Sequence, residues 1–444
     1  MPPQMTENRL PLVAAAEMGL GHLRAARSLA DHLGTRVHRA DRPPLATPRE
    51  ETVWARVRHL YELTSRLSQT PVVGPALRPV LNALTYIDHL HPYRDQSRPV
   101  RSVRTLDRMV ERGLCRNLVE RLRHSGVPLL TTFYTPAIAA ARAGLEDVFL
   151  VVTDVDIHRV WAPVNPARTR IRYLVPSQRA LQRLRAYGVP RANILHTGFP
   201  LPPELLGSSG DRILERNLAA RLVRLDPAGV FRSQWSRHLA PDLADLPAEA
   251  AGPPQLLFAV GGAGAQTSIA RRFLPGAAEA VRSGRLRLVL AAGTRAEPAE
   301  RFRRWVREAG LGEHLDDSVR VLFEPDFDAY YDAFNRVLER TDILWTKPSE
   351  LVFYAALGIP LILSWPVGVQ ERYNRRWVVE RGAGLKQGDP RFAHLWISEW
   401  LREGLLAAAA WSGYLRLPRE GTFRIAEAVR GAIHENITNR TVPS

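Results

Sequence analysis

The chain of 444 residues lacks several features, and each absence limits what the protein can be. Cys115 is the only cysteine, which excludes an internal disulfide and favours a reducing compartment such as the cytoplasm. There is no charged-then-apolar leader and no apolar run of about eighteen residues, the length that a spanning helix needs. We therefore expect a cytoplasmic protein, or one attached to the inner face of a membrane without spanning it.

Lysine is also scarce, because Lys347 and Lys386 are the only two and arginine supplies the other basic side chains. The formal net charge is still +16, which favours an anionic partner such as nucleic acid, acidic lipid headgroups or a phosphate-bearing substrate. No compact basic run, zinc-ligand spacing or nucleic-acid motif is present, so we expect no nucleic acid. With 45% hydrophobic and 24% charged residues, the chain predicts a soluble globular protein of two or three domains.

The stretch 342–363 has the pattern of a strand, a tight loop, a short helix and a second strand. Pro348 cannot continue a strand and suits a turn. Ser349 is a candidate N-cap, and Glu350 would lie in the first helical turn, where the helix dipole favours an acidic side chain. Gly358 would end the helix.

This loop and the polar turn after it form a candidate ligand site. A loop that leads into a helix presents unpaired N–H groups, so Thr346–Glu350 is a candidate site for a diphosphate. In the following turn, Gln370 and Glu371 are candidates for hydrogen bonds to sugar or ribose hydroxyls.

Three motifs in this part of the chain resemble the donor site of GT-B glycosyltransferases. They are Thr346-Lys347-Pro348-Ser349, Gly358-Ile359-Pro360 and Gln370-Glu371-x-x-Asn374. The resemblance is to the group that contains monogalactosyldiacylglycerol synthase, diglucosyldiacylglycerol synthases and the N-acetylglucosaminyltransferase that makes lipid II. It implies that these residues bind a nucleotide-sugar. That group has an acidic residue where this chain has Phe353, and Glu350 is the candidate replacement. The alternative is an ordinary βαβ crossover.

A glycine loop follows the first predicted strand. The apolar run Leu10–Ala16 is interrupted by Gly19 and Gly21, and helical spacing follows over Leu23–Leu33. His22 would lie at the helix start, where the positive end of the dipole favours the neutral imidazole of a general base. The same group has a similar first loop facing the acceptor and the donor phosphate. The alternative is a structural glycine turn with an N-terminal histidine.

The region at about 45–125 is predicted to be a helical insertion, after a second strand at Val37–Ala40. Helical periodicity is found at Glu51–Leu67, Val72–Leu90 and Val103–His124. In the resembling enzymes this region lies near the acceptor and helps the protein dock on the bilayer, and basic helices with aromatic faces suit the headgroup layer. The alternative is a helical layer packed on the sheet, with its arginines in solvent.

Acidic, histidine and tryptophan side chains follow the strand predicted at Val148–Thr153. Asp154 or Asp156 is a candidate to orient His22 or to accept the acceptor proton. His158 is a candidate ligand for phosphate or sugar, and Trp161 lies with it on the acceptor side. The Asp-x-Asp pattern occurs in metal-binding GT-A enzymes, but its surroundings here resemble the metal-independent group instead, so we expect no metal. The alternative is a strand-end cap with a partly exposed histidine.

The end of the first half closely matches the end of the N-terminal GT-B domain. Ser177 would cap a helix at Ala180–Tyr187, which Gly188-Val189-Pro190 ends. After another strand, Gly198-Phe199-Pro200 would form the hinge between domains.

The second half repeats the plan of strand, glycine loop and helix. Residues 203–254 read as a linker and a lead-in helix. Gly262, Gly264 and Gln266 lie in a second glycine loop, which resembles the donor-side phosphate loop of GT-B enzymes; the alternative is a tight turn. Helices are predicted at 393–412 and 421–436.

Strand–helix alternation in both halves predicts an α/β protein, and the resemblance specifies the GT-B fold, two doubly wound Rossmann-like domains facing a cleft. The predicted parts are 1–202, the linker 203–254, a nucleotide-sugar domain at 255–412 and, at 413–444, a helix that crosses back to the first domain.

The resemblance implies a metal-independent, inverting transfer of a sugar from a nucleotide-sugar, UDP-linked by expectation, to a lipid or lipid-phosphate acceptor. His22 or Asp154 would take the acceptor proton, and the nucleotide-sugar would be a substrate, with no cofactor. An anionic membrane surface is an expected partner. A nucleotide-sugar 2-epimerase of the same fold and a non-catalytic nucleotide- or lipid-binding protein are the alternatives.

Overall fold

The computed structural model describes residues 10–67, 86–207, 212–239, 243, 246–249, 251–259 and 266–441. The chain divides into two compact units. Of the described residues, the first unit holds those up to Pro202 and from Pro418 onward, and the second holds those between Pro203 and Leu417. Residues 72–85 of the helix predicted at Val72–Leu90, and the glycines Gly262 and Gly264, lie outside the described residues.

The described part of the first unit contains a six-stranded parallel sheet in the order β2-β1-β3-β4-β5-β6. Its strands are β1 (Leu12–Ala15), β2 (Val37–Arg39), β3 (Leu129–Thr131), β4 (Val148–Val151), β5 (Arg172–Val175) and β6 (Ile194–His196). β1, β3 and β4 are buried along their whole length, as expected for parallel strands covered on both faces. The strands predicted at Leu10–Ala16, Val37–Ala40 and Val148–Thr153 are confirmed, and each is one to three residues shorter than predicted.

Helices cover this sheet and extend beside it. They are α1 (Leu20–Leu33), α2 (Pro48–Leu67), α3 (Arg101–Glu111), α4 (Arg116–Ser125), α5 (Tyr134–Arg142) and α6 (Gln178–Ala186). The single helix predicted at Val103–His124 is wrong, because the chain breaks between α3 and α4. Gly113 has φ +103° and Cys115 has φ +66°, and neither value continues a right-handed helix. Tyr86–Leu90, the described end of another predicted helix, is irregular.

Ser177 connects β5 to α6 in the way that the sequence predicts. Its Oγ accepts a hydrogen bond from the backbone N–H of Ala180 at 3.0 Å, which satisfies one of the unpaired donors of the first helical turn. The same hydroxyl donates to the carbonyl of Val155 at 2.8 Å. The cap therefore also fixes the loop that follows β4, where the acidic residues lie.

The described part of the second unit contains another six-stranded parallel sheet, ordered β12-β11-β10-β7-β8-β9. Its strands are β7 (Gln255–Ala259), β8 (Arg287–Gly293), β9 (Val319–Phe323), β10 (Ile343–Thr346), β11 (Leu361–Leu363) and β12 (Gly384–Lys386). Its α-helices are α7 (Pro203–Leu206), α8 (Ile213–Arg224), α9 (Val230–Trp235), α10 (Ser268–Arg282), α11 (Ala296–Glu308), α12 (Phe327–Glu339), α13 (Val369–Glu380), α14 (Ala393–Arg402) and α15 (Leu405–Arg416).

One helix of the second unit differs from the sequence prediction and another agrees with it. The helix predicted at 393–412 is two helices, because Gly404 has φ +69° and separates α14 from α15. The lead-in helix predicted within 203–254 is confirmed as α8, whose Arg221 is buried and donates to the carbonyls of Thr341 and Leu357 at 2.8 and 3.0 Å. This arginine attaches α8 to the end of the 3-10 helix Glu350–Leu357.

The last helix, α16 (Gly421–Thr441), belongs to the first unit. It packs beside α1, where the rings of His32 and Phe423 meet edge to face at 5.0 Å. Its first residues meet the turn after β6, since Thr422 donates to the carbonyl of Leu201 at 2.5 Å.

None of the helices in the described ranges combines the length and the apolar character that crossing a bilayer requires.

Candidate functional site

Three loops of the first unit meet at one edge of its sheet, because β1, β3 and β4 are parallel neighbours and end together. The loop after β1 leads through Gly19 into α1, which carries His22 in its first turn. Gly19 has φ +122°, a conformation that only glycine adopts easily, whereas Gly21 is part of the helix itself. The predicted turn therefore needs Gly19 but not the flexibility of Gly21.

His22 is held by the loops that follow β3 and β4. Its Nδ1 lies 2.8 Å from the carbonyl oxygen of Thr132 and 3.3 Å from the hydroxyl of Thr153, while the Thr132 hydroxyl donates to the His22 carbonyl at 2.9 Å. A carbonyl oxygen can only accept, so Nδ1 carries the proton in this bond. In the neutral ring the lone pair is then on Nε2, the arrangement that a general base needs.

Aromatic rings surround this imidazole. Phe133 meets His22 edge to face at 5.0 Å, and Trp161 lies 6.3 Å from it. Tyr134 contacts Trp161 at 5.3 Å, and Trp54 of α2 contacts Phe133 at 5.8 Å. The structure thus brings the predicted residues His22 and Trp161 together. It also surrounds them with aromatic side chains that the sequence motifs did not indicate.

The two acidic residues after β4 have different surroundings. Asp154 is half-buried, whereas Asp156 is fully buried. The Asp156 carboxylate accepts from Arg179 at 2.6 Å, from Arg183 at 2.8 and 3.1 Å, and from the N–H of Ile157 at 2.9 Å. Both carboxylate oxygens are therefore occupied by guanidinium or backbone donors inside the protein. These contacts argue against the predicted catalytic role of Asp156 and give it a structural one.

Arg183 extends this buried network. Its side chain is fully buried and also donates to the side-chain oxygen of Gln96 and to the carbonyl of Asp88, both at 2.7 Å. The network therefore ties the segment before α3 to the loop after β4. Sequence reasoning missed Arg183, since an arginine on an amphipathic helix is normally assigned to solvent.

His158 is neutral at physiological pH. Burial lowers the pKa of its imidazole to about 4, although the nearby carboxylate of Asp156 acts in the opposite direction. Its buried Nδ1 has no hydrogen-bond partner among the described residues. A neutral imidazole attracts a phosphate charge weakly, so of the two predicted ligands a sugar hydroxyl suits His158 better.

In the second unit the predicted donor motifs at 346–349 and 370–374 contact each other. Lys347, just after β10, forms an ion pair with Glu371 of α13 at 2.8 Å. The other Glu371 oxygen accepts from the N–H of Val367 at 2.7 Å, and Asn374 donates to the carbonyl of Pro348 at 3.1 Å. Residues separated by more than twenty positions in the sequence therefore form one connected loop pair at the carboxyl ends of β10 and β11.

Several predicted donor residues have contacts within the protein. The Thr346 hydroxyl is buried and donates to the carbonyl of Ala259 at 3.2 Å, which directs it away from a ligand. Ser349 stands at the N-cap position, but its side chain makes no capping hydrogen bond, because the helix that follows is 3-10 and its backbone differs from an α-helix start. Glu350 is half-buried in its first turn.

Phe353, which stands where the resembling enzymes have an acidic residue, points into the core. It is 2% exposed and packs edge to face on Trp377 at 5.4 Å. An apolar ring at this position stabilises the 3-10 helix against α13 and offers nothing to a hydroxyl group.

The remaining donor-side residues lie near Trp365, in the loop after β11. Gln266 has φ +69° and donates from Nε2 to the carbonyl of Trp365 at 2.6 Å. The side-chain oxygen of Gln370 is buried and has no partner among the described residues. Within the same ranges, histidine, cysteine and carboxylate side chains do not gather in threes or more, as a metal site would require.

Comparison with known proteins identifies the fold. No family model matches the chain, and no curated protein does. Among solved structures, Acinetobacter baumannii MurG has 13% sequence identity and a TM-score of 0.50, covering 94% of this chain and 98% of its own. A putative UDP-N-acetylglucosamine 2-epimerase from Listeria monocytogenes has 12% identity, 97% coverage of both chains and a TM-score of 0.48. S. aureus MnaA, solved with UDP, has 11% identity, coverages of 95% and 96%, and a TM-score of 0.47.

The likeness to MurG, together with the two parallel six-stranded sheets in the described residues, shows that the chain has the GT-B fold with two Rossmann-like domains. This confirms the fold class predicted from the sequence.

Proposed function

We propose that the protein transfers a sugar from a nucleotide-sugar to an acceptor hydroxyl. The observation that carries the proposal is the fixed imidazole of His22 at the carboxyl edge of the first sheet. Its Nδ1–H is bound to the carbonyl of Thr132, so Nε2 has the lone pair for a base. The fold is one in which ligands bind at this end of the strands.

The donor is assigned to the second unit. The connected loops that contain Lys347, Glu371 and Asn374 support this assignment, since N–H groups around a tight loop and a basic side chain suit a diphosphate. That the nucleotide is UDP is proposed from the sequence resemblance. Pro348 has no N–H, the Ser349 N–H donates to the Lys347 carbonyl at 2.8 Å, and the Lys347 side chain is paired with Glu371. A bound diphosphate would therefore have to draw the Lys347 ammonium away from Glu371.

The proposed step is a direct displacement. His22 Nε2 removes the acceptor hydroxyl proton as the acceptor oxygen forms a bond to the anomeric carbon. The bond from that carbon to the diphosphate oxygen breaks on the opposite face, so the anomeric configuration inverts, and the nucleoside diphosphate leaves with the electron pair. We propose that neither a metal nor a cofactor takes part, and that half-buried Asp154 is the alternative base.

The acceptor is proposed to be a lipid or a lipid-phosphate at the face of a membrane. The net charge of +16 supports attraction to an anionic surface. Exposed arginines of α2 and α3, such as Arg56, Arg101 and Arg104, also suit such a surface.

A second candidate function is nucleotide binding without transfer. It is favoured by Phe353, which is buried against Trp377 where the resembling enzymes have an acidic residue. The Lys347–Glu371 pair also neutralises the one basic side chain of the loop.

The test is a binding and transfer assay with a panel of nucleotide-sugars, in the presence of chelator, with and without anionic lipid vesicles. Transfer that appears only with lipid, and that falls about 100-fold or more in His22→Ala, would support the proposal. His124→Ala is the control, since His124 is exposed on α4. Nucleotide binding without transfer to any lipid would favour the second candidate. Near wild-type turnover in His22→Ala would exclude His22 as the base.

A further inference from the structure

One large apolar side chain at the donor edge is left in solvent. Trp365 is 65% exposed, the highest value among the large apolar side chains that the structure describes. Burial of an indole is favourable, so a tryptophan held in solvent loses a large stabilisation unless something else covers it. Trp365 follows the carboxyl end of a strand, the place where ligands bind in open α/β sheets, so its indole is a candidate contact for a ligand ring.

The indole is held in place from two sides. The guanidinium carbon of Arg375 lies over the ring at 5.3 Å from its centroid, within the range of a cation–π contact. The Trp365 carbonyl accepts from Gln266 at 2.6 Å, which fixes the backbone. One face of the ring is therefore covered by Arg375, and the orientation of the other is set before a ligand arrives.

The position of the ring follows from the sheet. Trp365 is two residues beyond the end of β11, and β11 pairs with β10 so that Leu363 lies opposite Thr346. The same loop contains the Val367 N–H bound to Glu371, which is paired with Lys347. The indole thus belongs to the loop pair that we assign to the donor.

A second observation in this turn points to a ligand. The Gln370 side-chain oxygen is buried and has no hydrogen-bond partner among the described residues. A buried acceptor without a donor is unfavourable, and a ligand hydroxyl group that reaches this oxygen would supply the missing donor.

We propose that the indole of Trp365 is a stacking platform for a ring of the nucleotide-sugar, on the face opposite Arg375. The inference rests on the proposed function and assigns to that donor site a specificity residue that the motifs do not include. Both rings of the donor have a suitable face, since a base offers a π-face and a sugar offers a face of C–H groups. Stacking of a base on an aromatic side chain contributes roughly 5- to 150-fold in affinity.

The experiment compares three variants with four probes. Trp365→Ala removes the ring, and Trp365→Phe keeps a smaller one. Trp235→Ala is the matched control, since Trp235 is also exposed, at 45%, in the same unit. The probes are inorganic pyrophosphate, UMP, UDP and UDP-glucose, with the corresponding GDP, ADP and dTDP compounds if uridine nucleotides do not bind. Circular dichroism verifies that each variant is folded.

If the base stacks, Trp365→Ala weakens UMP, UDP and UDP-glucose binding by at least about 5-fold and leaves pyrophosphate unchanged. If the sugar stacks, only the additional affinity of UDP-glucose over UDP is lost. In both cases Trp365→Phe recovers part of the affinity that Trp365→Ala loses. Nucleotide binding also quenches the indole fluorescence of the wild type and of Trp235→Ala, and it quenches the fluorescence of Trp365→Phe less.

Two negative results have different meanings. If the wild type binds nucleotides and Trp365→Ala binds every probe as tightly as Trp235→Ala, the stacking inference is wrong while the proposed function stands. If the wild type binds no nucleotide of the panel, the proposed function is wrong and the inference falls with it.

Discussion

The contacts of Asp156 predict that replacing it by asparagine damages the first unit and not the chemistry. Asparagine keeps the shape of the side chain but removes the negative charge and turns an amide N–H group toward donors. Arg183 is fully buried, and it also donates to the side-chain oxygen of Gln96 and to the carbonyl of Asp88, which are neutral acceptors. The substitution therefore removes the buried carboxylate that faces the guanidinium groups of Arg179 and Arg183.

The magnitude follows from that geometry. Removing one member of a buried ion pair costs about 3–5 kcal/mol of unfolding free energy, because the remaining charge stays desolvated. The amide of the variant also replaces only part of the hydrogen bonds that the Asp156 carboxylate accepts from Arg179 and from the N–H of Ile157. We expect Asp156→Asn to reduce the free energy of unfolding by about 3 kcal/mol or more. The double variant Asp156→Asn, Arg183→Met should recover at least about 2 kcal/mol of this unfolding free energy, because it also removes the buried guanidinium that faced the carboxylate.

The two units can unfold separately, so the measurement must identify the first unit. Hydrogen exchange of peptides from β4 and β5, followed by mass spectrometry across a urea series, does so. The folded fraction of Asp156→Asn should keep its nucleotide-sugar activity within about 10-fold. A stability loss below about 1 kcal/mol together with a complete loss of activity would refute this reasoning and return Asp156 to the catalytic group.

Three further predictions follow from single contacts. Burial lowers the pKa of His158 from 6.5 to about 4 in the folded protein, so the unfolded chain binds this proton first as the pH falls. Acidification from about pH 6.5 to 4 should therefore cost the wild type up to ~3 kcal/mol more unfolding free energy than His158→Asn, measured by urea unfolding at each pH. A Cβ on Gly421 would lie 2.1 Å from the Phe199 carbonyl oxygen, whereas nothing lies within 4 Å of one on Gly431. Gly421→Ala should therefore reduce the free energy of unfolding by about 1–3 kcal/mol and lower Tm. Gly431→Ala should increase the free energy of unfolding by up to ~1 kcal/mol and raise Tm. Equal shifts of Tm in the two variants would contradict the packing of α16. Lys347→Met leaves Glu371 without its cation and should reduce the unfolding free energy of the second unit by about 3 kcal/mol. The same variant should bind pyrophosphate more weakly in calorimetry. Unchanged stability would mean that the ion pair is exposed in solution.

The fold could be predicted from the sequence because its signals are local. Continuous apolar runs such as Val148–Val151 gave the buried strands, and Ser177 with Gly188 gave the bounds of α6. The prediction failed where one residue overrides a helical pattern. Cys115, in the left-handed region, breaks a stretch that has helical periodicity on both sides.

The candidate site could be predicted only in part, because its contacts are long-range. Gly19, His22 and Lys347 have local motifs, but the carbonyl that fixes His22 is 110 residues away in the sequence. Asp156 could not be distinguished from Asp154 by sequence, since the arginine that occupies it comes from α6, 27 residues later. The exposure of Trp365 depends on the packing of α13, which hydrophobic periodicity does not report.

The attachment of α16 has a consequence for how the protein is made. Among the described residues, the first unit consists of the chain before Pro203 and after Leu417, and the second unit lies between these two parts. During synthesis the surface of α1 that receives α16 stays uncovered until the ribosome has passed Gly421, about 390 residues after α1. The described part of the second unit, by contrast, is synthesised as one stretch and can fold before the first unit is complete. A nascent chain that stops before Gly421 would therefore have a complete second sheet and a first sheet without its last helix.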